Sequence, residues 1–137
     1  MAAPARTSLT DLEAGHQFST ATFSLDADDV RAYLDAAGDT NAAYLELGLA
    51  PPLAVAARAL ASLLDEIELP PGSIHRKQDV ESRGGVAIGA ELMLEASIAG
   101  RSERGEGVFT EIAFEVQAGG ETVLAGATTV ISSRAAS

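Results

Sequence analysis

The spacing of apolar residues changes several times along the chain, and each change marks an element. The clearest signal runs from Leu53 to Leu69. Leu53, Ala56, Ala57, Leu60, Leu63, Leu64 and Ile67 recur at three- and four-residue intervals, with Arg58, Ser62, Asp65 and Glu66 on the opposite side. Pro51-Pro52 opens this segment and Pro70-Pro71-Gly72 closes it. The spacing predicts a helix of about 17 residues, roughly 25 Å long and able to cross a small sheet. Upstream, His16 to Leu25 alternates Phe18, Thr20 and Thr22 against Ala21 and Phe23, which predicts a strand. Asp26, with Asp29 three residues on, caps a helix whose Val30, Tyr33, Leu34 and Ala37 share one face and which Gly38 stops.

Beyond the long helix the period falls to two. Ile74 to Glu81 is a charged strand candidate. Leu92, Leu94, Ala96 and Ile98 alternate with Met93, Glu95 and Ser97 in the next. Val108, Thr110, Ile112, Phe114 and Val116 alternate with Glu111, Glu115 and Gln117, and Gly119-Gly120 then turns the chain into Thr122 to Ile131. Strands in direct succession predict an antiparallel meander. The fold class is therefore α+β, one long helix wrapped by an antiparallel sheet of about five strands, which is the hot-dog arrangement.

Length and charge narrow the picture. The 137 residues, 47% of them hydrophobic, suit one domain over residues 11–132, with flexible ends at 1–10 and 133–137. Nine basic residues against twenty acidic give a net charge of −11, which disfavours nucleic acid and anionic lipid as partners. No apolar run reaches membrane-spanning length and the N-terminus lacks a signal-like apolar core, so a cytoplasmic location is expected. The chain has no cysteine and only two histidines, His16 and His75, so neither a metal site nor a cofactor is expected.

Two stretches carry a resemblance. Ala37-Gly38-Asp39-Thr40-Asn41-Ala42-Ala43-Tyr44 resembles the Gly-Asp-x-Asn-Pro-x-His signature of MaoC-like enoyl-thioester hydratases and 3-hydroxyacyl dehydratases. Leu49-Ala50-Pro51-Pro52, and Ile74-His75-Arg76-Lys77-Gln78 with Glu81, are similar to segments of the N-terminal, non-catalytic dehydratase halves of that family. The resemblance spans roughly residues 10–132 and implies a hot-dog subunit, at least dimeric, that acts on thioesters of coenzyme A or acyl carrier protein. Asp39, Asn41 and Tyr44 then take the catalytic positions. Pro51, Pro52, Leu53, Ala56 and His75 take substrate-facing ones.

Three departures change what the resemblance implies. Tyr44 stands where the family has His. A phenol with a pKa near 10 is a poor general base at neutral pH, and loss of such a group costs about 10²–10⁴ in rate. Pro52 stands where a Gly N–H binds the thioester oxyanion, a donor worth on the order of 3 kcal/mol. Only Leu53, the next residue, could still donate there. Gly84-Gly85 and Gly89-Ala90 replace an Arg-Pro and Gly-Asp loop. The expectation is a hydratase or dehydratase component with an incomplete Asp/His pair, acting as a homodimer or beside a catalytic hot-dog partner. The alternative is a non-enzymatic small-molecule-binding or biosynthetic accessory protein on the same scaffold. A thioesterase would need a carboxylate on the long helix, and Asp65 and Glu66 lie at its far end. Alanines 54, 56, 57, 59 and 61 serve either helix formation alone or close approach of a ligand or subunit.

Overall fold

The computed structural model describes residues 6–40 and 42–133. In chain order they form β1 (Thr7–Ser8), a 3-10 turn (Leu9–Asp11), β2 (Ala21–Phe23), α1 (Ala27–Ala37), α2 (Ala43–Leu47), β3 (Leu49–Ala50) and α3 (Pro52–Leu64). β4 (Ile67–Glu68), β5 (Ile74–Ser82), β6 (Val86–Ala87), β7 (Leu92–Arg104), β8 (Gly107–Ala118) and β9 (Glu121–Ser133) follow. The main sheet has the order β2-β7-β8-β9-β5, with every pairing antiparallel. β7, β8 and β9 form the expected meander. Gly119 and Gly120, at φ 60° and 83°, make the tight hairpin between β8 and β9.

The sheet curls around α3. Leu92, Leu94 and Ile98 of β7, Val108, Ile112, Phe114 and Val116 of β8, and Leu124 and Val130 of β9 are all buried. Most of them join one core with Ala54, Val55, Ala56, Ala59 and Leu63 of α3. The strand-face assignments read from sequence hold here, because a period of two leaves each strand one way to bury its apolar set. Thr110 and Thr128 sit among these residues, and neither hydroxyl has a hydrogen-bond partner among the described residues.

The long helix is shorter than its pattern and is turned about its axis. It ends at Leu64, not Leu69, because Ile67–Glu68 leave the helix to pair in parallel with Thr7–Ser8. Its buried face is Ala54, Val55, Ala56, Ala59 and Leu63. Leu53 is 59% exposed, and Leu60 and Leu64 are only half-buried. Hydrophobicity alone put the leucines inside; the close approach of helix to sheet favours the alanines there instead.

The N-terminal half departs in other ways. The expected strand over His16–Leu25 shrinks to Ala21–Phe23 and a bridge between Gln17 and Ser97. Both Glu66 carboxylate oxygens accept the Ser19 N–H at 3.1 Å, drawing the chain off the sheet so that Phe18 and Phe23 are both buried. The flexible segment expected at 1–10 does not reach residue 10: Leu9 is fully buried, and Arg101 Nη2 donates to the Thr10 carbonyl. Residues 1–5 and 134–137 lie outside the described residues. Residue 133 belongs to β9, and the buried Ser132 hydroxyl lies 3.0 Å from that of Ser73. Asp26 and Asp29 form the full capping box on α1, where Val30 and Leu34 are buried, Tyr33 is half-buried and Ala37 is exposed. The short α2 is not visible in the periodicity; five residues are too few to show a helical repeat.

One glycine is required by close packing. A Cβ on Gly126 would overlap the Asp79 carbonyl oxygen of β5 and come within 2.8 Å of Phe114 Cζ. Gly126→Ala is expected to lower unfolding stability by about 1–3 kcal/mol, as overpacking does. Gly100→Ala, which faces open space, is the control. Equal urea midpoints for the two variants would contradict this packing. Asp26→Ala, which removes the cap, is expected to cost about 1 kcal/mol in the same measurement.

Candidate functional site

α2, β3 and the first turn of α3 converge on one end of the sheet, and a cleft of about 240 Å³ opens between them. Gly48, at φ 70°, ends α2, and its carbonyl accepts the Ile88 N–H at 2.8 Å. That bond and the β3–β6 pairing bring the Gly84-Gly85 loop over the helix start. Tyr44, Pro52, Ser82, Gly84, Gly85 and Leu124 are among the walls. Two of the remaining walls, Val86 and Val123, are buried core residues, so this end of the cleft is apolar.

The first turn of α3 is arranged around its two prolines. Pro51 is buried in an extended conformation, and its carbonyl accepts the N–H groups of Ala54 at 3.0 Å and Val55 at 3.2 Å. Pro52 at the first helical position has no N–H. Leu53 is therefore the residue of that turn whose N–H remains available at the helix start. Its side chain points elsewhere. It lines a groove of about 650 Å³ together with Tyr33, Leu60, Leu64, His75 and Val80.

The residues singled out from the sequence thus fall into four places. Tyr44 and Pro52 share the cleft, with Pro51 buried behind them. Leu53 and His75 share the groove on the β5 side of α3. Ala56 is 1% exposed and packs in the core. Asp39 is exposed just past α1, and its N–H donates to the Leu34 carbonyl at 2.9 Å beside the left-handed Gly38. It is not among the cleft walls, and Asn41 lies outside the described residues. Ser82, Leu49 and Val123 were not expected in a site. They belong to segments that are distant in sequence, and the Gly84-Gly85 departure was the one signal pointing to that region.

What the cleft can do follows from these walls. Tyr44 and Ser82 supply hydroxyls, and the rest is apolar or backbone. Among the described residues, none of its walls is a carboxylate or an imidazole. Its volume lies below the range of about 300–1,000 Å³ usual for drug-sized ligands, so within these walls it suits a small guest. A Cβ on Gly85, one of the walls, would meet Leu49 Cδ2 at 3.5 Å, an ordinary contact, so a side chain is tolerated there. Gly85→Leu is expected to fill the cleft with little loss of stability, read as an unchanged melting temperature and lost binding of a short acyl guest.

Comparison with known proteins agrees with this architecture. No protein-family model and no curated protein matches the sequence. Solved structures do match in shape. R-hydratase PhaJ1 from Pseudomonas aeruginosa superposes with a TM-score of 0.70 at 21% identity, over 93% of this chain and 86% of that one. The MaoC-like dehydratase from Rhodospirillum rubrum gives 0.72 at 21% identity, over 92% and 96%. The HadBC complex, a 3R-hydroxyacyl-ACP dehydratase from Mycobacterium tuberculosis, gives 0.66 at 17% identity, over 85% and 93%. With its buried helix, five-stranded antiparallel sheet and these structural neighbours, the protein has the hot-dog fold of the R-hydratases and MaoC-like dehydratases.

Proposed function

We propose that the protein is a component of an acyl-thioester hydratase or dehydratase. It holds a coenzyme A or acyl-carrier-protein thioester and depends on a second hot-dog subunit for conversion. The observation that carries this reading is that Tyr44 and Pro52 wall the same small cleft at the start of α3. The resemblance aligns these two residues with the family's histidine and its oxyanion-binding glycine. With a phenol and an imino acid there, the cleft keeps the shape for an acyl end and lacks the proton carrier and one amide donor. The fold shared with R-hydratase PhaJ1 and with the HadBC complex supports both the substrate class and a partnered assembly. In this reading Asp39 and Asn41 take the catalytic positions that the resemblance implies for them, beside Tyr44. A cytoplasmic location belongs to the same reading.

A second reading is favoured by one observation. Asp39 lies outside the cleft walls, which suits a small-molecule-binding or biosynthetic accessory protein with no thioester chemistry. The two separate in a hydration assay with crotonyl-CoA. The purified chain is expected to show turnover near background, and Tyr44→His to raise it by about 10² or more. Brisk turnover by the unaltered chain, abolished by Asp39→Ala, would overturn the incomplete-site reading. Tight binding of an apolar molecule, with no binding of crotonyl-CoA, would favour the accessory role.

A further inference from the structure

A second groove, of about 860 Å³, lies between α3 and the segment from His16 to Phe23. Among the described residues it shares no wall with the Tyr44 cleft. Phe18, Phe23 and Ile67, all buried, give it an apolar floor. Its volume falls inside the range of about 300–1,000 Å³ usual for ligand sites. The helix begins beside β3, which pairs with β6, and Gly89 just beyond β6 donates its N–H to the Leu25 carbonyl. The far end of the helix meets Ser19 through Glu66. α3 therefore runs antiparallel to residues 19–25 along one side of the groove.

Two opposite charges on the helix face this groove without meeting. Arg58 is the one charged residue of α3, and Asp65 is the residue that caps its C-terminus. Both are exposed and both wall the groove. Seven residues make about two helical turns, so the two side chains leave the helix in nearly the same direction, about 10 Å apart along the axis. A spacing of three or four residues would have let them pair. Neither has an ion-pair partner among the described residues. The groove is thus positive toward its Phe23 end and negative toward its Ser19 end. Across from the helix, β2 is an edge of the main sheet. Every second residue of such a strand turns its N–H and C=O away from its one neighbour. At Ser19, where the chain leaves the sheet, the N–H is already taken by the Glu66 carboxylate.

We infer that this groove binds a short extended peptide with free ends, its ammonium group beside Asp65, its carboxylate beside Arg58 and its main chain along the open edge of β2. A ligand with only negative charge would meet Asp65 and Glu66 in the same groove, and one with only positive charge would meet Arg58. A dipolar ligand meets an opposite charge at each end. The span of about 10 Å corresponds to about three residues of extended chain at 3.3 Å each. A peptide so placed runs parallel to β2. It offers that edge the main-chain donors and acceptors of an added strand, and side chains on one of its faces rest on Phe18 and Phe23. Small apolar side chains suit that floor. The site is separate from the Tyr44 cleft, so it does not rest on the acyl-thioester reading.

The test is an NMR titration of the purified chain with the tripeptide Ala-Val-Ala, alongside its N-acetyl and C-amide forms. The free tripeptide is expected to shift the amide signals of Thr22 and Ser62 saturably, and to leave those of Tyr44 and Ser82 in place. Blocking either end is expected to weaken binding about fivefold, the scale of one exposed charge pair. Arg58→Gln is expected to weaken the free and N-acetyl peptides about fivefold and to leave the C-amide unchanged. Asp65→Asn is expected to weaken the free and C-amide peptides by as much and to leave the N-acetyl form unchanged. Both positions are exposed, and circular dichroism confirms that each variant is folded. No saturable binding of the free tripeptide, or shifts confined to the Tyr44 cleft, would refute the site. Equal affinity for free and blocked peptides, or a substitution that weakens all three forms alike, would refute the recognition of the two ends. These readouts report peptide binding, so they stand apart from the outcome of the hydration assay.

Discussion

The fit between the alanine face of α3 and the inner face of the sheet is the constraint on which the rest of the structure depends. Ala54, Ala56 and Ala59, with Val55 and Leu63, are the residues that the helix buries. Across from them stand larger side chains, among them Leu94, Ile98, Ile112, Phe114 and Leu124. Small against large lets the helix lie close to the strands, and close packing in an interior contributes dispersion as well as burial. Leucines on that face would force the layers apart.

Two surfaces follow from that choice. Turning the alanines inward places Leu53, Leu60 and Leu64 on the flank of the helix, beside a strand edge with no neighbour among the described residues. It also fixes the first turn of α3, so that Pro52 faces Tyr44 of α2 across a narrow cleft. The same close packing that stabilises the core thus leaves one apolar flank exposed and a cleft at one end of the helix.

How much could be read in advance depends on the range of the interactions involved. The capping box of Asp26 and Asp29, the Gly38 stop and the Gly119-Gly120 hairpin are local, and each has its form in the folded chain. The strands β7 and β8 alternate cleanly, so their inner faces follow from a period of two. The C-terminal end of α3 did not follow. Ile67 continues the helical stripe, yet its pairing with Thr7 is a contact across sixty residues of chain. Ser19 likewise leaves its strand because of Glu66, a residue with no sequence relation to it.

Tyr44 and Pro52 were linked in advance only by the resemblance, and both wall one cleft. Their sharing of walls with Ser82, Gly85 and Val123 could not be read from sequence, since those residues meet only after β5 and β9 have paired. By itself the sequence determined α1, the start of α3 and the meander of β7, β8 and β9, because each rests on neighbours a few residues apart. The tertiary structure decided which side of α3 is buried, where that helix ends and what borders the cleft. Those outcomes depend on the distance between packed layers and on pairings between remote segments, which no local pattern encodes.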